Sequence, residues 1–208
     1  SRSRASLSDL RSAARRLQRE GAVPFFSFES HFGDVVLRGG FDMVVGNPPW
    51  VRAEPLPPRV RETLAARYSC WRPAARGGFA HLPDLAVAFT ARALERGRPG
   101  GVLALLVPAK LATSGYAEPL RQRLAHSTRI DRAAPLAEPA ARAFAAAVYP
   151  MALVAARADP TGVEMTATAL GPKPDAPALP QRLLQAAGPW ILVPDADRIA
   201  RRLRAAFP

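Results

Sequence analysis

The stretch Phe41-Asp42-Met43-Val44-Val45-Gly46-Asn47-Pro48-Pro49-Trp50 decides how the rest of the chain is read. Met43, Val44 and Val45 make an uncharged, β-branched run, the composition of a short buried strand, and Gly46 ends it. Proline fixes its own φ, lacks an N–H and biases the residue before it toward extended geometry, so Asn47 and Pro48 are both held out of the helical region. A stiff tetrapeptide leaving the carboxyl end of a strand lies where open α/β sheets bind their ligands. It presents an amide side chain, backbone carbonyls and an aromatic plane, a set suited to a flat ring that carries an amine. The bland alternative for Asn-Pro-Pro is a rigid turn after a strand.

Working outward, residues 83–97 (PDLAVAFTARALERG) predict a helix. Pro83 and Asp84 suit its amino end, Leu85, Ala88, Phe89 and Leu94 form its apolar face, and Gly97 stops it. Arg98-Pro99-Gly100-Gly101 then turns into Val102–Pro108, a strongly apolar strand. Strand, long connection, helix, turn and strand form a βαβ crossover, so the two strands are expected to be parallel. Beyond them a helix is predicted at Ala117–Ala125 with Leu120 and Leu124 inward, followed by strands at Thr128–Pro135 and Val148–Arg157. The connection after Trp50 is long and proline-rich, with one short helix at Pro58–Tyr68. It carries Arg52, Arg59, Arg61, Arg67, Arg72 and Arg76, and reads equally as a nucleic-acid-contacting lid or as a solvated loop.

A strand followed by Asn-Pro-Pro-aromatic resembles the catalytic motif of the S-adenosylmethionine-dependent amino methyltransferases. The likeness is greatest to the DNA adenine-N6 enzymes of bacterial restriction-modification and phage-defence systems. The helix opening with Asp84, the Pro-Gly-Gly turn and the strand ending at Pro108 resemble that family's next two motifs in order and spacing, so the resemblance spans roughly residues 25–157. It implies an α/β fold holding the second half of a Rossmann-like methyltransferase sheet, with an antiparallel edge hairpin. It also implies a flipped-out target base and S-adenosylmethionine as methyl donor. Asn47, Pro48, Pro49 and Trp50 become the catalytic set: Asn47 Oδ1 and the Pro48 carbonyl accept the hydrogens of the exocyclic amine, and Trp50 stacks on the base. Asn47 in place of serine points to adenine rather than cytosine-N4. Phe144 stands where this family stacks a second aromatic, the alternative being core packing; Lys110 and Arg52 are candidate DNA contacts, the alternative for Lys110 being simple exposure.

Composition narrows the field. The chain has 208 residues, 49% hydrophobic, which suits a globular domain of one unit or slightly more. Lys and Arg outnumber Asp and Glu 29 to 17, and Lys110 and Lys173 are the only lysines. An arginine excess suits a polyanionic partner, although an Ala/Arg/Pro-rich composition also arises from coding bias. The single cysteine, Cys70, excludes an internal disulfide framework and a multi-cysteine zinc site. It reads as a packing residue, not a nucleophile. No long uncharged apolar run marks a membrane span, and a bacterial cytoplasmic setting is expected. Glu29 and His31 read as partly exposed strand-end residues without a catalytic role, and residues 1–20 as an amphipathic surface helix.

The expected division is a connector at 1–23, the catalytic-motif half of a methyltransferase domain at 24–158, and a linker with the start of a target-recognition region at 159–208. In the latter, 161–170 reads as one more strand and 180–187 as a short helix. No glycine-rich strand-to-helix loop precedes Asn47, and the chain starts without an initiator methionine. The expectation is therefore a piece of a longer protein, inactive alone, whose partners are double-stranded DNA, the missing first half of the sheet, a recognition domain and, fused or associated, a nuclease. Two other classes stay open: an enzyme acting on ribosomal RNA or a protein glutamine, and a non-catalytic DNA-binding or assembly module.

Overall fold

In the computed structural model of the chain, two glycines set where the first two strands meet. Gly40 has φ 128°, and a Cβ on it would stand 2.5 Å from the Arg96 carbonyl; one on Gly101 would stand 2.8 Å from the Phe41 carbonyl. Only glycine fits so close an approach. With both present, β1 (Phe41–Gly46) and β2 (Gly97–Pro108) run parallel, Val44 beside Leu103 and Gly46 beside Leu105. The structure describes residues 27–71, 83–136, 149–170 and 177–192, together with Ser12 and Arg15.

The chain forms two units, residues 1–39 and 40–208. In the first, α1 (Phe28–His31) and α2 (Gly33–Leu37) are short helices. Glu29 and His31 therefore lie on a helix, not at a strand end, because the aromatic run is closed by local bonds. Ser27 Oγ donates to Glu29 Oε2 at 2.7 Å, and His31 Nδ1 lies 2.8 Å from the Ser27 carbonyl. The amino-terminal helix read at 1–20 falls outside the described residues except for Ser12 and Arg15, which are helical.

The second unit holds a sheet of order β1-β2-β4-β3-β5-β6 among the described residues. The connection from β1 to β2 carries α3 (Pro58–Arg67) and α4 (Leu85–Arg96), so the predicted parallel crossover is present. Asp84 opens α4 as its N-cap, Oδ1 accepting from the Ala86 N–H at 2.9 Å, and Gly97 closes it. After β2 come two 3₁₀ turns, Ala109–Ala112 and Gly115–Ala117, then α5 (Glu118–Ser127) and β3 (Arg129–Pro135). β4 (Pro150–Ala156) inserts between β2 and β3, antiparallel to both. That is the expected antiparallel hairpin, and the α/β class is as predicted. The sheet continues past it: β5 (Met165–Ala167) pairs with β3 and β6 (Ala178–Pro180) with β5, followed by a 3₁₀ turn at Gln181–Leu184.

The core joins Leu103, Leu105 and Val107 of β2 to Val87 and Leu94 of α4, Leu120 and Leu124 of α5, Ile130 of β3, and Met151 and Leu153 of β4. Each such burial stabilises the fold by about 1.5–3 kcal/mol. Cys70 and Trp71 join this core, Cys70 as the packing residue expected. Burial pushes its thiol pKa up, which keeps it unreactive.

Two expectations about faces fail. Met43 and Val45 are 60% and 70% exposed, so β1 is not a buried strand. Paired residues of neighbouring strands point to the same side, and the side shared by Met43, Val45, Val102 and Ala104 is the thinly covered one. Phe89 is exposed on α4, whose buried face keeps the expected Ala88 and Leu94 but is otherwise built from Ala86, Val87, Thr90, Ala91 and Ala93. The small residues let the helix lie close on the sheet, and the large aromatic is left outside.

Candidate active site

Asn47–Trp50 leave the carboxyl end of β1 as irregular backbone beside the carboxyl half of β2. Asn47 is exposed, Pro48 buried, Pro49 exposed and Trp50 half-buried. The segment is fastened after the prolines at two places. Trp50 packs against the core, and its Nε1 donates to the Leu106 carbonyl at 3.2 Å, tying the indole to β2. Immediately downstream, the Leu85 N–H donates to the Val51 carbonyl at 2.7 Å and the Ala53 N–H to the Pro83 carbonyl at 3.2 Å. Arg52 and Asp84 are thus bridged as a short antiparallel pair. Two prolines restrict the segment from within, and β2 with the head of α4 restrict it from without. The Asn47 carboxamide is left facing solvent on a rigid support.

The head of α4 brings charge to the same place. Asp84 is only 9% exposed. Burial raises its carboxyl pKa; the Ala86 N–H and the charges of Arg52 and Lys110 work in the opposite direction, and Glu54 adds to the rise. Arg52 and Lys110 are both exposed, and both act on Asp84, so the fold brings together two basic residues that lie far apart in sequence. Tyr116, on the second 3₁₀ turn after β2, joins them. Burial raises its phenol pKa, a hydrogen bond with Ser114 lowers it, and the charges of Asp84 and Glu54 raise it against that of Arg52.

Asp84 and Tyr116 are the residues that the sequence did not mark as belonging to the site. Asp84 was legible as a helix cap and as the opening of a helix that resembles the family's next motif, but not as a neighbour of Arg52 and Lys110, because that nearness is made by the sheet. Phe144, Arg72 and Arg76 lie outside the described residues. Of the remaining loop arginines, Arg67 folds back on its neighbour, Nε donating to the Tyr68 hydroxyl at 3.2 Å with the guanidinium 5.5 Å from the ring centroid. Arg59 is exposed and Arg61 half-buried on α3. Among the described residues no cluster of three or more His, Cys, Asp or Glu stands ready for a metal, and no helix is long and apolar enough to cross a membrane.

The arrangement offers an exposed amide and a backbone carbonyl at a strand end, an anchored indole beside them, and a rim on which the basic Arg52 and Lys110 are joined by the acidic Glu54 around one buried carboxyl. It can hold a planar amine and attract a polyanion.

Comparison with known proteins adds lineage. A family model described as Eco57I restriction-modification methylase matches residues 4–138. The Type II methyltransferase M.PaeR7I of Pseudomonas aeruginosa is 28% identical over 192 residues, covering 83% of this chain and 32% of the relative. The chain thus spans about a third of the curated relative it matches. Among solved structures, the type I restriction enzyme EcoKI M protein aligns at 18% identity with TM-score 0.38, covering 68% of this chain and 25% of that one. The type IIG restriction endonuclease BpuSI aligns at 17% identity with TM-score 0.41, covering 63% and 15%.

Proposed function

The chain belongs to the Eco57I restriction-modification methylase family, and on that premise we propose that it is the base-binding half of a site-specific DNA methyltransferase acting on the N6 amine of a flipped-out adenine. The observation that carries the reading is the support given to Asn47–Trp50: an exposed carboxamide after β1, with Trp50 tied to Leu106 and Val51–Ala53 tied to the head of α4.

The chemistry explains why such rigidity is useful. The amine of adenine is a poor nucleophile because its lone pair is delocalised into the ring. Asn47 Oδ1 and the Pro48 carbonyl, each accepting one amine hydrogen, hold the nitrogen pyramidal and relocalise that pair toward the incoming carbon. Trp50 stacks on one face of the base and Phe144 on the other, so the ring stays in place once it has left the duplex. Arg52 and Lys110 meet phosphates on the rim, and residues 159–208 lead into target recognition within a division that places the catalytic-motif half at 24–158.

When bound, S-adenosylmethionine would supply the electrophilic methyl group, and the part of this chain's residues would be to hold the amine lone pair toward it. Among the described residues no glycine-rich strand-to-helix loop stands beside β1, so the donor-binding side is not furnished by them. We assign to this chain only the holding and orienting of the amine, with the donor side, the double-stranded DNA recognition domain and any nuclease contributed from outside it.

The test is product identity. A protein extended upstream to include a cofactor-binding loop is given DNA and tritiated S-adenosylmethionine, and the DNA is digested to nucleosides. Label in N6-methyladenine is the expected result. Label in N4-methylcytosine, or in ribosomal RNA or protein with none in DNA, contradicts the adenine reading; a folded protein that labels nothing supports a non-catalytic module.

A further inference from the structure

The most deeply buried charge in the described residues has no part in the site as assigned above. Arg121, on α5, is 2% exposed. Its hydrogen bonds all run to main-chain carbonyls: Nη1 to Leu111 at 2.9 Å and to Ser114 at 2.7 Å, Nε and Nη2 both to Gly188, at 3.1 and 2.9 Å. Burying a guanidinium whose hydrogen bonds all go to carbonyls is costly, with the charge of Glu118 offsetting it only in part, and an apolar side chain of similar size would serve packing better. What the arginine provides is geometry: five donors on one plane, shared between two stretches of chain that are otherwise distant.

Those two stretches differ in kind. One is the turn Ala109–Ser114, which follows β2, carries Lys110, and leads to Tyr116 beside Asp84. The other is residues 186–190, beyond the last strand of the sheet. Further bonds join the second stretch to the same helix and turn. Glu118 Oε1 accepts from the Gly188 N–H at 3.2 Å, Gln122 Nε2 donates to the Ala186 carbonyl at 2.9 Å, and the Trp190 N–H donates to the Ala112 carbonyl at 2.7 Å. Gly188 is held at both its N–H and its carbonyl, one turn of α5 apart. Its φ of 103° suits glycine and fixes the direction of the chain there.

We propose that Arg121 is a positioning residue which couples residues 186–190 to the Lys110–Ser114 turn, so that movement of the segment leading toward the recognition region resets the basic rim of the site. The proposal rests on the methyltransferase reading, and it adds to that reading a route by which DNA recognition reaches the rim. A shared clamp has this property because neither stretch can shift without losing bonds that the other helps to hold in place.

The experiment compares Arg121→Met, Arg121→Lys and Glu118→Ala with wild type in the full-length protein, by amide hydrogen exchange and by steady-state methyl transfer. Glu118 is half-buried and makes a single bond of the cluster, so Glu118→Ala is the milder change and is measured beside Arg121→Met. The expected result is faster exchange, by about tenfold or more, at Thr113, Ser114, Gly188 and Trp190, with the β2–β4 ladder unchanged. KM for DNA rises about fivefold or more while kcat stays within about twofold, and Arg121→Lys lies between wild type and Arg121→Met. Exchange that quickens throughout the sheet in Glu118→Ala makes the cluster a structural pillar and overturns the proposal. Local release with unchanged KM also overturns it. A wild-type protein that transfers no methyl group to DNA overturns instead the functional reading underneath.

Discussion

β1 and β2 are neighbours in one parallel pair and both are apolar runs, yet they live in different surroundings. On β2, Leu103, Leu105 and Val107 are 2%, 7% and 0% exposed; on β1, Met43 and Val45 are 60% and 70% exposed. The register explains the contrast. Val44 shares a side with Leu103 and packs against the core, whereas Met43 and Val45 share a side with Val102 and Ala104, where cover among the described residues is thin. An apolar run announces a strand; what covers each side of it depends on the elements that pack there.

The largest expected effect breaks the pair on its buried side. Leu103→Ala or Leu105→Ala should cost about 2–5 kcal/mol in chemical denaturation, because a well-filled core collapses poorly around a cavity. If either costs as little as a surface change, the core has been placed wrongly. Gly101→Ala comes next. Its Cβ would meet the Phe41 carbonyl at 2.8 Å and the Arg98 carbonyl at 2.9 Å, both backbone atoms that cannot swing aside. A loss of about 1–3 kcal/mol is expected, together with faster amide exchange at the start of β1. A neutral result would mean that the strands do not approach so closely.

Asp84 gives a smaller effect, with a pH signature. Asp84→Ala removes the cap on the Ala86 N–H and should cost about 1 kcal/mol. Asp84→Asn keeps an acceptor and removes the buried charge. Since burial raises the folded carboxyl pKa above its unfolded value, the folded wild type binds that proton more tightly and gains stability as pH falls through the raised pKa. The stability of Asp84→Asn relative to wild type should therefore be highest at neutral pH and decline on acidification. A relative stability that rises on acidification would reverse the assignment. The smallest effect sharpens the exposed side: Met43→Gln and Val45→Thr should each change thermal stability by no more than about 0.5 kcal/mol.

Much of this was legible from residues alone, for reasons that are local. Asp84 and Gly97 bound α4, and Leu120 and Leu124 point inward from α5, because caps and periodicity act over a few residues. Arg98–Gly101, expected as a turn before the strand, instead belong to β2, where the register with β1 shifts between Phe41 and Met43. The irregular, extended path of Asn47–Trp50 after β1 was legible for the same reason, since prolines stiffen their own neighbours. What stayed hidden was tertiary. Phe89 was assigned to the apolar face of α4, but the close fit of Ala86, Ala91 and Ala93 to the sheet turns it outward. Glu29 and His31 fell on a helix because side-chain bonds to Ser27 close the turn. Asp84, Tyr116 and Arg121 acquire their surroundings only once β2 and its following turn are in place.

The central claim is that Asn47 holds the reacting amine, and the most direct measurement is single-turnover methyl transfer by wild type and Asn47→Ala in the full-length protein, with DNA affinity measured on the same samples. The account predicts that transfer falls by about 10²–10³-fold or more while DNA affinity and folding are retained, since the lost acceptor acts on the amine and not on the duplex. Transfer in Asn47→Ala within a few-fold of wild type would contradict it.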